Sequence, residues 1–430
     1  MSRNVVLVTV DSLRADHCGF HGYEEDTTPT LDRMADEGLV FENAIAPGPS
    51  TPESMSAVHT GEFLKPYDTE DDTPIVNRRR SVQRHLASTP TVAETLSAEG
   101  YRTIGFTPNP FTARPFGFQK GFERYEDFLT AESREFVDVY RRLFDRFISG
   151  DTDVSPIRLL LNWLQKEEVF KSWEQYYDRI IESVRATTEP FFLWVFLMDA
   201  HLPYLVGGSR REGISWLDMW RYNFRLYTDG AFTDAERERL IDLYDATIRR
   251  VDEFLDRLRS DLAAADPVYV VHADHGEAFG EHGTYGHEPY VYEENVHVPY
   301  LVANGRESGS VSAPVSLRSI PSVVATHAGI DDGRLHPPAG DDATHVFSNP
   351  GGGRTAVRGR RWKYIRNSQS TGPDELYDLV ADADETRNLS EEHPDLADTC
   401  RDLIDATCDH EREGTAVRNA LADLVGEVTL

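Results

Sequence analysis

The sequence predicts an α/β fold in which a mostly parallel central sheet lies between layers of helices, followed by a small antiparallel subdomain. Short apolar segments, typical of buried parallel strands, alternate with helical segments over most of the chain. Near residue 345 the pattern changes to closely spaced short strands. The strand candidates of the main sheet are residues 4–10, 102–107, 191–198, 267–273 and 298–303.

The helices between these strands are indicated by their ends and by their apolar faces. A helix over 30–37 follows Pro29, and a helix over 89–100 begins with a capping box formed by Thr91 and Glu94. The longest helix is predicted over 234–259, where apolar residues recur at helical spacing. This alternation of strands and helices predicts a sheet covered on both faces.

We divide the chain into a main α/β domain over residues 1–344 and a small C-terminal α+β subdomain over 345–430. Three segments have the composition of insertions into the main domain. They are residues 62–88, which we expect to form a loop, residues 130–186, which we expect to be largely helical, and residues 207–233, which we expect to form a lid over a cleft. The C-terminal subdomain is predicted from strands at 355–358, 362–366 and 375–379 and a helix over 394–407.

The composition indicates a protein adapted to a salt-rich medium. The 430 residues include 74 acidic and 44 basic residues, for a formal net charge of −30, and only five of the basic residues are lysines. An acidic, lysine-poor surface stays hydrated where salt screens charge repulsion. We therefore predict a halophilic, haloarchaeal protein. The lack of a basic stripe argues against nucleic acid as a partner.

The cysteines and the apolar segments predict a cytoplasmic location. Three cysteines, an odd and small number, suit reduced thiols in an intracellular compartment. The N-terminal apolar run is too short for a signal peptide, and the most apolar segment, 191–198, is far shorter than a membrane span.

Acidic side chains stand at the ends of two strands that are remote in sequence. Asp11 follows the first strand, and Asp274 and His275 follow the strand over 267–273. By itself, Asp11 is equally consistent with a cap of the following turn. Because ligands of open α/β sheets bind at the carboxyl ends of strands, we expect the three side chains to meet. Such oxygen and imidazole donors suit a hard divalent cation or zinc, and Gly276 permits a bend toward one ion.

The segment 48–61 predicts a loop followed by a helix, and it has two interpretations. Ser50 and Glu53 have the spacing of a capping box, which is the interpretation that the pattern alone favours. In the other interpretation, a hydroxyl at the helix N-terminus is a nucleophile. The helix dipole would stabilise an anion there, and a metal would lower the pKa of the hydroxyl.

Histidines cluster in loops that follow the strands. His201 comes just after the strand over 191–198, and His275, His282 and His287 fall within thirteen residues of a glycine-rich loop. A single loop histidine would carry no functional meaning, but this cluster suits the protonation of a leaving group and contacts to an oxyanion. A metal in the same cleft would indicate hydrolysis of a charged ester.

In their order along the chain, these motifs resemble the sulfatase family of the alkaline phosphatase superfamily. The resemblance covers nearly the whole chain and rests on the segments 11–17, 28–41, 199–204, 244–252, 273–283, 298–299, 362–365 and 375–389. It implies a sulfatase-like α/β fold and a divalent cation. Calcium is the ion that the family favours, and magnesium, manganese or zinc also suit the donors.

The resemblance also implies roles for individual residues. Asp11, Asp274 and His275 would hold the metal, with the oxygen of the nucleophile as a further ligand. His201 and His287 would contact the sulfate or phosphate group and protonate the leaving oxygen. Arg14 would hold the anion or support the metal ligands.

The chain departs from the sulfatase pattern at the nucleophile. Sulfatases carry a Cys or Ser that is oxidised to formylglycine, followed by any residue, Pro, any residue and Arg, whereas 48–61 contains neither cysteine nor arginine. Counting back from the Thr-Gly pair at 60–61 places Thr51 at the nucleophile, and anchoring on Pro52 gives Ser50 instead. We adopt Thr51 because that register needs no gap. Threonine cannot become formylglycine, and an unmodified alkoxide resembles the phosphodiesterases of the superfamily.

We interpret the chain as a metal-dependent hydrolase of sulfate esters of small molecules or glycans, with an unmodified hydroxyl as its nucleophile. The alternative enzyme is a phosphodiesterase, phosphonate hydrolase or phospho-group transferase on the same scaffold. An alternative of another class is a catalytically inactive metal- or anion-binding homologue. The missing cysteine and arginine favour that alternative, as does Ser12 at the position of the family's second aspartate, while the retained histidines oppose it.

Overall fold

The computed structural model describes residues 2–65, 74–128, 171–188, 190–206, 213–226, 230, 232–287, 289–330, 345–367 and 372–409. Its strands are β1 (Val5–Val10), β2 (Leu39–Ile45), β3 (Arg102–Phe106), β4 (Arg124–Glu126), β5 (Phe191–Leu197), β6 (Val268–Ala273), β7 (Ala278–Phe279), β8 (Tyr285–Gly286), β9 (Tyr300–Ala303), β10 (Gly309–Ser316), β11 (His345–Ser348), β12 (Arg354–Gly359), β13 (Trp362–Asn367) and β14 (Glu375–Asp378). Its helices are α1 (Pro29–Glu37), α2 (Thr51–Thr60), α3 (Pro74–Ser88), α4 (Val92–Ala98), α5 (Tyr177–Arg185), α6 (Trp216–Leu226), α7 (Asp234–Asp261), α8 (Glu293–Val296), α9 (Ile320–Ala328) and α10 (394–409).

An eight-stranded sheet forms the centre of the main domain. Its strand order is β10-β2-β9-β6-β1-β5-β3-β4. Only β9 runs antiparallel to its neighbours among the described strands of this sheet, and the remaining pairs are parallel. The predicted fold class, a mostly parallel sheet between helices with a small antiparallel C-terminal sheet, is confirmed.

The central strands follow directly from their apolar sequences. Every residue of β1, β5 and β6 is buried, as expected for strands that are covered by helices on both faces. The five predicted strands are present, with ends that agree to within two residues. The strand predicted over 298–303 begins at Tyr300, because Pro299 has no amide hydrogen for the ladder.

Three strands of the sheet were not predicted: the three-residue β4 at one edge, and β2 and β10 at the other. In β2 and β10, buried residues are interspersed with exposed or partly exposed ones, so neither segment is a continuous apolar run. β10 also contains Pro314 beside an irregularity in its pairing with β2, which is where an edge strand tolerates proline. The continuous apolar run that identifies a fully buried strand is therefore absent from β2 and β10.

The predicted helices α1, α4 and α7 are confirmed, including the capping box of Thr91 and Glu94. The prediction of a loop over 62–88 is wrong for residues 74–88, which form α3. Val82 and Leu86 lie one turn apart on this helix and are buried, while exposed arginines on its other face obscure the pattern in the sequence. Residues 66–73 lie outside the described part of the chain.

The other two predicted insertions are described only in part. Of residues 130–186, the described portion contains α5, and residues 130–170 lie outside it. Of the segment 207–233 that we expect to be a lid, the described portion contains α6, and residues 207–212, 227–229 and 231 lie outside it.

The C-terminal strands β11 to β14 form a four-stranded antiparallel sheet, on which α10 packs. β11 was not predicted, and the other three strands and the helix match their predicted positions. Cys400 and Cys408 are free cysteines on α10. Among the described residues, no helix combines the length and the hydropathy needed to cross a membrane.

Candidate metal centre and active site

Four neighbouring strands end side by side, and a polar side chain follows each of them. β1 and β6 are parallel and paired in register up to their last residues, which places Asp11 beside Asp274. On the other side of β1, the neighbouring strands β5 and β3 lead to His201 and Asn109. The sheet therefore gathers at one edge residues that are up to 263 positions apart in the chain.

Asp11, Asp274 and His275 converge at this edge. Their ligand atoms all lie within 4.8 Å of one another, and all three side chains are fully buried. His275 Nε2 is 3.6 Å from Asp11 Oδ1 and 3.5 Å from Asp274 Oδ2. This is the donor set, two carboxylates and one imidazole, that the sequence predicts for a divalent cation.

The electrostatics of the triad fit a cation. Asp274 Oδ1 accepts the backbone N–H groups of Ser12 and His275, but Oδ2 is buried without a hydrogen-bond partner. Burial, reinforced by the charge of Asp274, raises the pKa of Asp11 to about 8. The raised pKa of Asp11 reflects the cost of ionising two buried carboxyls that face each other, and a divalent cation would offset that cost.

Ser12 orients both carboxylates. Its hydroxyl donates to Asp11 Oδ1 (3.1 Å), and its N–H donates to Asp274 Oδ1 (3.2 Å). Ser12 has a φ of 59°, a left-handed conformation that is uncommon for a serine. The hydroxyl of Tyr244 donates to the Ser12 carbonyl (2.6 Å) and accepts from Arg14 N–H, which holds this turn in place.

Gly276 has a different role from the one that the sequence suggested. Its backbone does not adopt the left-handed conformation that only glycine reaches easily, so the prediction that its conformational freedom is needed is wrong. A Cβ at this position would lie 2.1 Å from the carbonyl oxygen of Glu294. Glycine is required here because the loop after β6 passes directly against the backbone of α8.

The two candidate nucleophiles, Ser50 and Thr51, point to different surroundings. Thr51 Oγ1, at the start of α2, lies 3.4 Å from His275 Nε2. The hydroxyl of Ser50 donates to the Glu53 carboxylate and accepts from Arg78 Nη2 (3.2 Å). Ser50 makes no side-chain capping bond to the helix, so the capping box expected from its spacing to Glu53 is not formed.

Asn109 is a member of this site that the sequence analysis missed. Its side chain is buried, and its Nδ2 donates to Asp11 Oδ2 (2.8 Å) and to Thr51 Oγ1 (3.4 Å). Its Oδ1 accepts the N–H of Phe111, so the amide group is fixed with its nitrogen toward the site. The available signal was its position just past a predicted strand, the same argument that identified Asp11.

His201 and His287 lie together beside the triad. Their ring centroids are 5.8 Å apart, and His287 is 4.3 Å from the ring of His275. Nδ1 of His201 donates to the Leu202 carbonyl (2.5 Å), so Nε2 is the ring nitrogen that remains for a substrate. Burial, with the charge of His287, lowers the pKa of His201.

Glu277 pairs with His287. Its Oε1 lies 3.4 Å from His287 Nδ1, and the side chain is almost fully buried. Burial alone would raise the pKa of Glu277, but the charges of the surrounding histidines, His287 first, bring it below its ordinary value. Glu277 therefore favours a charged, oriented His287.

Arg14 contacts protein oxygens in this structure. Its guanidinium donates to both carboxylate oxygens of Asp16, to the Glu281 carboxylate and to the Glu277 carbonyl. Of the two roles that the resemblance implies, these contacts correspond to support of the loop that carries Asp274 and His275.

Comparison with known proteins identifies the family and the fold of this chain. The model of the sulfatase family matches residues 3–330. The chain is 23% identical to the arylsulfatase of Clostridium perfringens, over 98% of this chain and 97% of that protein. A crystal structure of a putative sulfatase from Bacteroides thetaiotaomicron superimposes with a TM-score of 0.68 at 16% identity, covering 97% and 94% of the two chains. The phosphonate monoester hydrolase of Agrobacterium radiobacter superimposes with a TM-score of 0.66 at 15% identity, covering 95% and 96%. These two structures have the same fold as this chain.

Proposed function

The chain belongs to the sulfatase family, and we propose that it hydrolyses sulfate esters by attack of the unmodified Thr51 hydroxyl. Family membership makes it a hydrolase of sulfate or phosphate esters. The proposal adds the nucleophile, the metal centre and the preference for sulfate. The observation that carries it is the position of Thr51 Oγ1, 3.4 Å from His275 Nε2, at the N-terminus of a ten-residue helix.

Asp11, Asp274 and His275 would hold the divalent cation, and Thr51 Oγ1 is close enough to them to serve as a further ligand. Such an ion, when bound, lowers the pKa of a coordinated hydroxyl and withdraws charge from the ester oxygens. Asn109 donates a hydrogen bond toward Thr51 Oγ1, and the N-terminus of α2 favours negative charge at the same atom. Both contacts stabilise the alkoxide form of Thr51.

The reaction then proceeds in two displacements. The Thr51 alkoxide attacks sulfur in line, an Oγ–S bond forms, and the bond from sulfur to the ester oxygen breaks with its electron pair on the departing oxygen. That oxygen takes a proton from a histidine and leaves as the alcohol. A water molecule, deprotonated by the same histidine, attacks sulfur in turn, releases sulfate and restores Thr51.

His287 and His201 are the two histidines within reach of the departing oxygen. We assign the proton transfer to His287, because Glu277 lies against its Nδ1 and would stabilise the charged ring. His201 Nδ1 is bound to a backbone carbonyl instead of a carboxylate, and burial disfavours its charged form. We assign His201 to contact with the sulfate oxygens through Nε2.

Replacement of Thr51 tests the nucleophile. Thr51→Ala removes the attacking oxygen, and we expect the turnover of an aryl sulfate to fall by about 10⁴-fold or more. Ser50→Ala is the matched control, since it removes the adjacent hydroxyl and should retain activity within about tenfold. Rapid quenching and intact-mass measurement should show a sulfo adduct on the wild-type protein and none on Thr51→Ala. An active Thr51→Ala enzyme would refute the assignment.

A series of leaving groups tests the proton donor. In His287→Ala, the loss of turnover should grow as the pKa of the leaving alcohol rises, because a poor leaving group depends on protonation. In His201→Ala, the loss should be the same for every leaving group. The reverse pattern would exchange the two roles.

A phosphodiesterase or phosphonate monoester hydrolase is the second candidate, and the unmodified hydroxyl at position 51 favours it. A sulfate ester, a phosphodiester and a phosphonate monoester each carry one negative charge, so the same site accommodates all three. Parallel assays with an aryl sulfate, a diaryl phosphate and an aryl phosphonate monoester decide between them. A kcat/KM for a phosphorus ester that exceeds the value for the sulfate would replace our first candidate.

A further inference from the structure

The short helix α8 connects the metal-binding loop to the C-terminal sheet. Directly after Asp274 and His275, the N–H of Gly276 donates to the Asn295 carbonyl (2.8 Å), and the N–H of Glu277 donates to the Glu294 carbonyl (2.9 Å). Gly276 also lies so close to α8 that a Cβ at this position would clash with the Glu294 carbonyl. A displacement of α8 would therefore displace the loop that begins at the two metal ligands.

On its other side, α8 is held by four charged groups, three buried and Glu293 partly buried, which we call the clamp: Glu293, Arg358, Lys363 and Glu385. Lys363 has no exposed surface, and its Nζ lies 2.9 Å from a carboxylate oxygen of both Glu293 and Glu385. Arg358 Nη2 donates to the other oxygen of Glu293 (3.1 Å). The carboxylate of Glu385 also accepts the N–H of Glu293 (2.6 Å), so α8 is fixed through both its side chain and its backbone.

A second connection runs from the loop itself to the same C-terminal residue. His282 Nδ1 lies 2.9 Å from the Glu294 carboxylate, and its Nε2 donates to the Glu385 carbonyl (3.0 Å). His282 and Glu385 both have a φ of 51°, in the left-handed region. Two such residues in contact are retained only where their surroundings determine the conformation.

We infer that Lys363 is a positioning residue for the metal centre, acting through Glu293 and α8 on the loop that carries Asp274 and His275. Buried ion pairs contribute little to stability in comparison with apolar residues of the same size, and their best-supported value is to select one arrangement. Here the selected arrangement is that of α8, and through α8 that of two metal ligands. The inference rests on the metal centre of the proposed function.

The test compares two variants of the full-length protein, one at Lys363 and one at Arg361. Lys363→Met removes the charge at the centre of the clamp. Arg361→Gln is the matched control, because it removes a cation of the same sheet whose ion pair is with Asp378, outside the clamp. Titration calorimetry with Ca²⁺ measures the ion affinity, and hydrogen exchange measures the protection of the amides of residues 276 and 277.

We expect Lys363→Met to bind Ca²⁺ about 10- to 100-fold more weakly, the loss typical of residues that orient metal ligands. Its amides at 276 and 277 should exchange faster, and kcat for an aryl sulfate should fall with little change in KM. Arg361→Gln should match the wild type in all three, and Lys363→Arg should recover part of the loss. Wild-type affinity and wild-type exchange in Lys363→Met would overturn the inference.

Two further outcomes are distinguishable. If Lys363→Met does not fold, as judged by circular dichroism, the experiment uses Glu385→Gln instead. This variant removes a charge of the clamp and keeps the shape of the side chain. The same loss of Ca²⁺ affinity supports the inference, and unchanged affinity and exchange overturn it. If the wild type binds neither Ca²⁺, Mn²⁺ nor Zn²⁺, the proposed metal centre fails, and faster exchange at 276 and 277 in Lys363→Met alone still supports the coupling.

Discussion

Two groups of buried charges lie on either side of the loop after β6, and they are balanced differently. In the clamp, two carboxylates, Glu293 and Glu385, are matched by two cations, Lys363 and Arg358. In the metal centre, the described contacts of Asp11 and Asp274 include the imidazole of His275 but no lysine or arginine.

The pKa of Glu293 in the clamp and the pKa of Asp11 in the metal centre are shifted in opposite directions, while burial and the charge of Glu293 raise the pKa of Glu385 to about 7. Burial alone would raise the pKa of Glu293, but the charges of Lys363 and Arg358 hold it far below its ordinary value. For Asp11, burial and the charge of Asp274 act together and raise the pKa to about 8. Burial by itself does not identify a ligand site. The convergence of two buried carboxylates and an imidazole, with no lysine or arginine among their described contacts, is the feature that indicates a ligand site here.

The largest expected effect comes from neutralising the unbalanced group. Asp274→Asn removes a ligand, and we expect aryl sulfate turnover to fall by about 10³-fold or more, equivalent to about 4 kcal/mol of lost transition-state stabilisation. In the metal-free protein, the same change should raise the melting temperature, because it relieves the repulsion with Asp11. A lower melting temperature of the metal-free variant would show that the two carboxylates are balanced by a group of the protein.

Neutralising one carboxylate of the balanced group should have the opposite effect on stability. Glu293→Gln leaves Lys363 and Arg358 with a single carboxylate, and we expect the free energy of unfolding to fall by about 3–5 kcal/mol. Urea unfolding of the metal-free protein measures it. Equal changes in Glu293→Gln and Asp274→Asn would remove the distinction between the two groups.

Removal of the ion by a chelator should act on the metal centre alone. An ion present at 100 times its dissociation constant stabilises the folded protein by about 2.7 kcal/mol, so chelation should lower the melting temperature of the wild type. Asp274→Asn should show no change on chelation, and Glu293→Gln should still show one. A wild type that is insensitive to chelation would contradict a stabilising metal centre.

The smallest expected effect is the pH dependence of the stability that His282, which contacts Glu385 of the clamp, contributes to the folded protein. Burial alone would lower the pKa of this histidine, but its hydrogen bonds to Glu294 and Glu385 raise it to about 9. Since the pKa is about 6.5 in the unfolded chain, the stabilisation is complete below about pH 6.5 and is lost as the pH rises toward 9. The difference in unfolding free energy between the wild type and His282→Gln should therefore shrink between pH 6.5 and 9.5. A difference that is constant over this range would contradict the charged state of His282.

The sequence by itself determined the central sheet and the convergence of the triad. Fully buried parallel strands such as β1 and β6 require continuous apolar runs, which are readable one segment at a time. A ligand that follows such a run must lie at the carboxyl edge of the sheet. Asp11, Asp274 and His275 were identified in this way, although Asp11 and Asp274 are 263 positions apart in the chain.

The pattern of residues 48–61 left Ser50 and Thr51 open, the family resemblance favoured Thr51, and the tertiary structure places the Thr51 hydroxyl beside the triad. Ser50 and Thr51 are adjacent in sequence, and the choice between them depends on the direction in which each side chain leaves the start of α2. Contacts with groups from other elements, Arg78 for Ser50 and His275 for Thr51, distinguish the two. No pattern within residues 48–61 contains these contacts.

The same reason applies to Asn109, Gly276 and Lys363. Each depends on a partner from another element: Asp11 for the amide of Asn109, the Glu294 carbonyl for Gly276, and the carboxylates of Glu293 and Glu385 for Lys363. Local periodicity records which face of a strand or helix is buried, and it contains no information about the group on the other side of the contact. The sequence therefore determined where the site lies, and packing between distant elements determined which residues complete it.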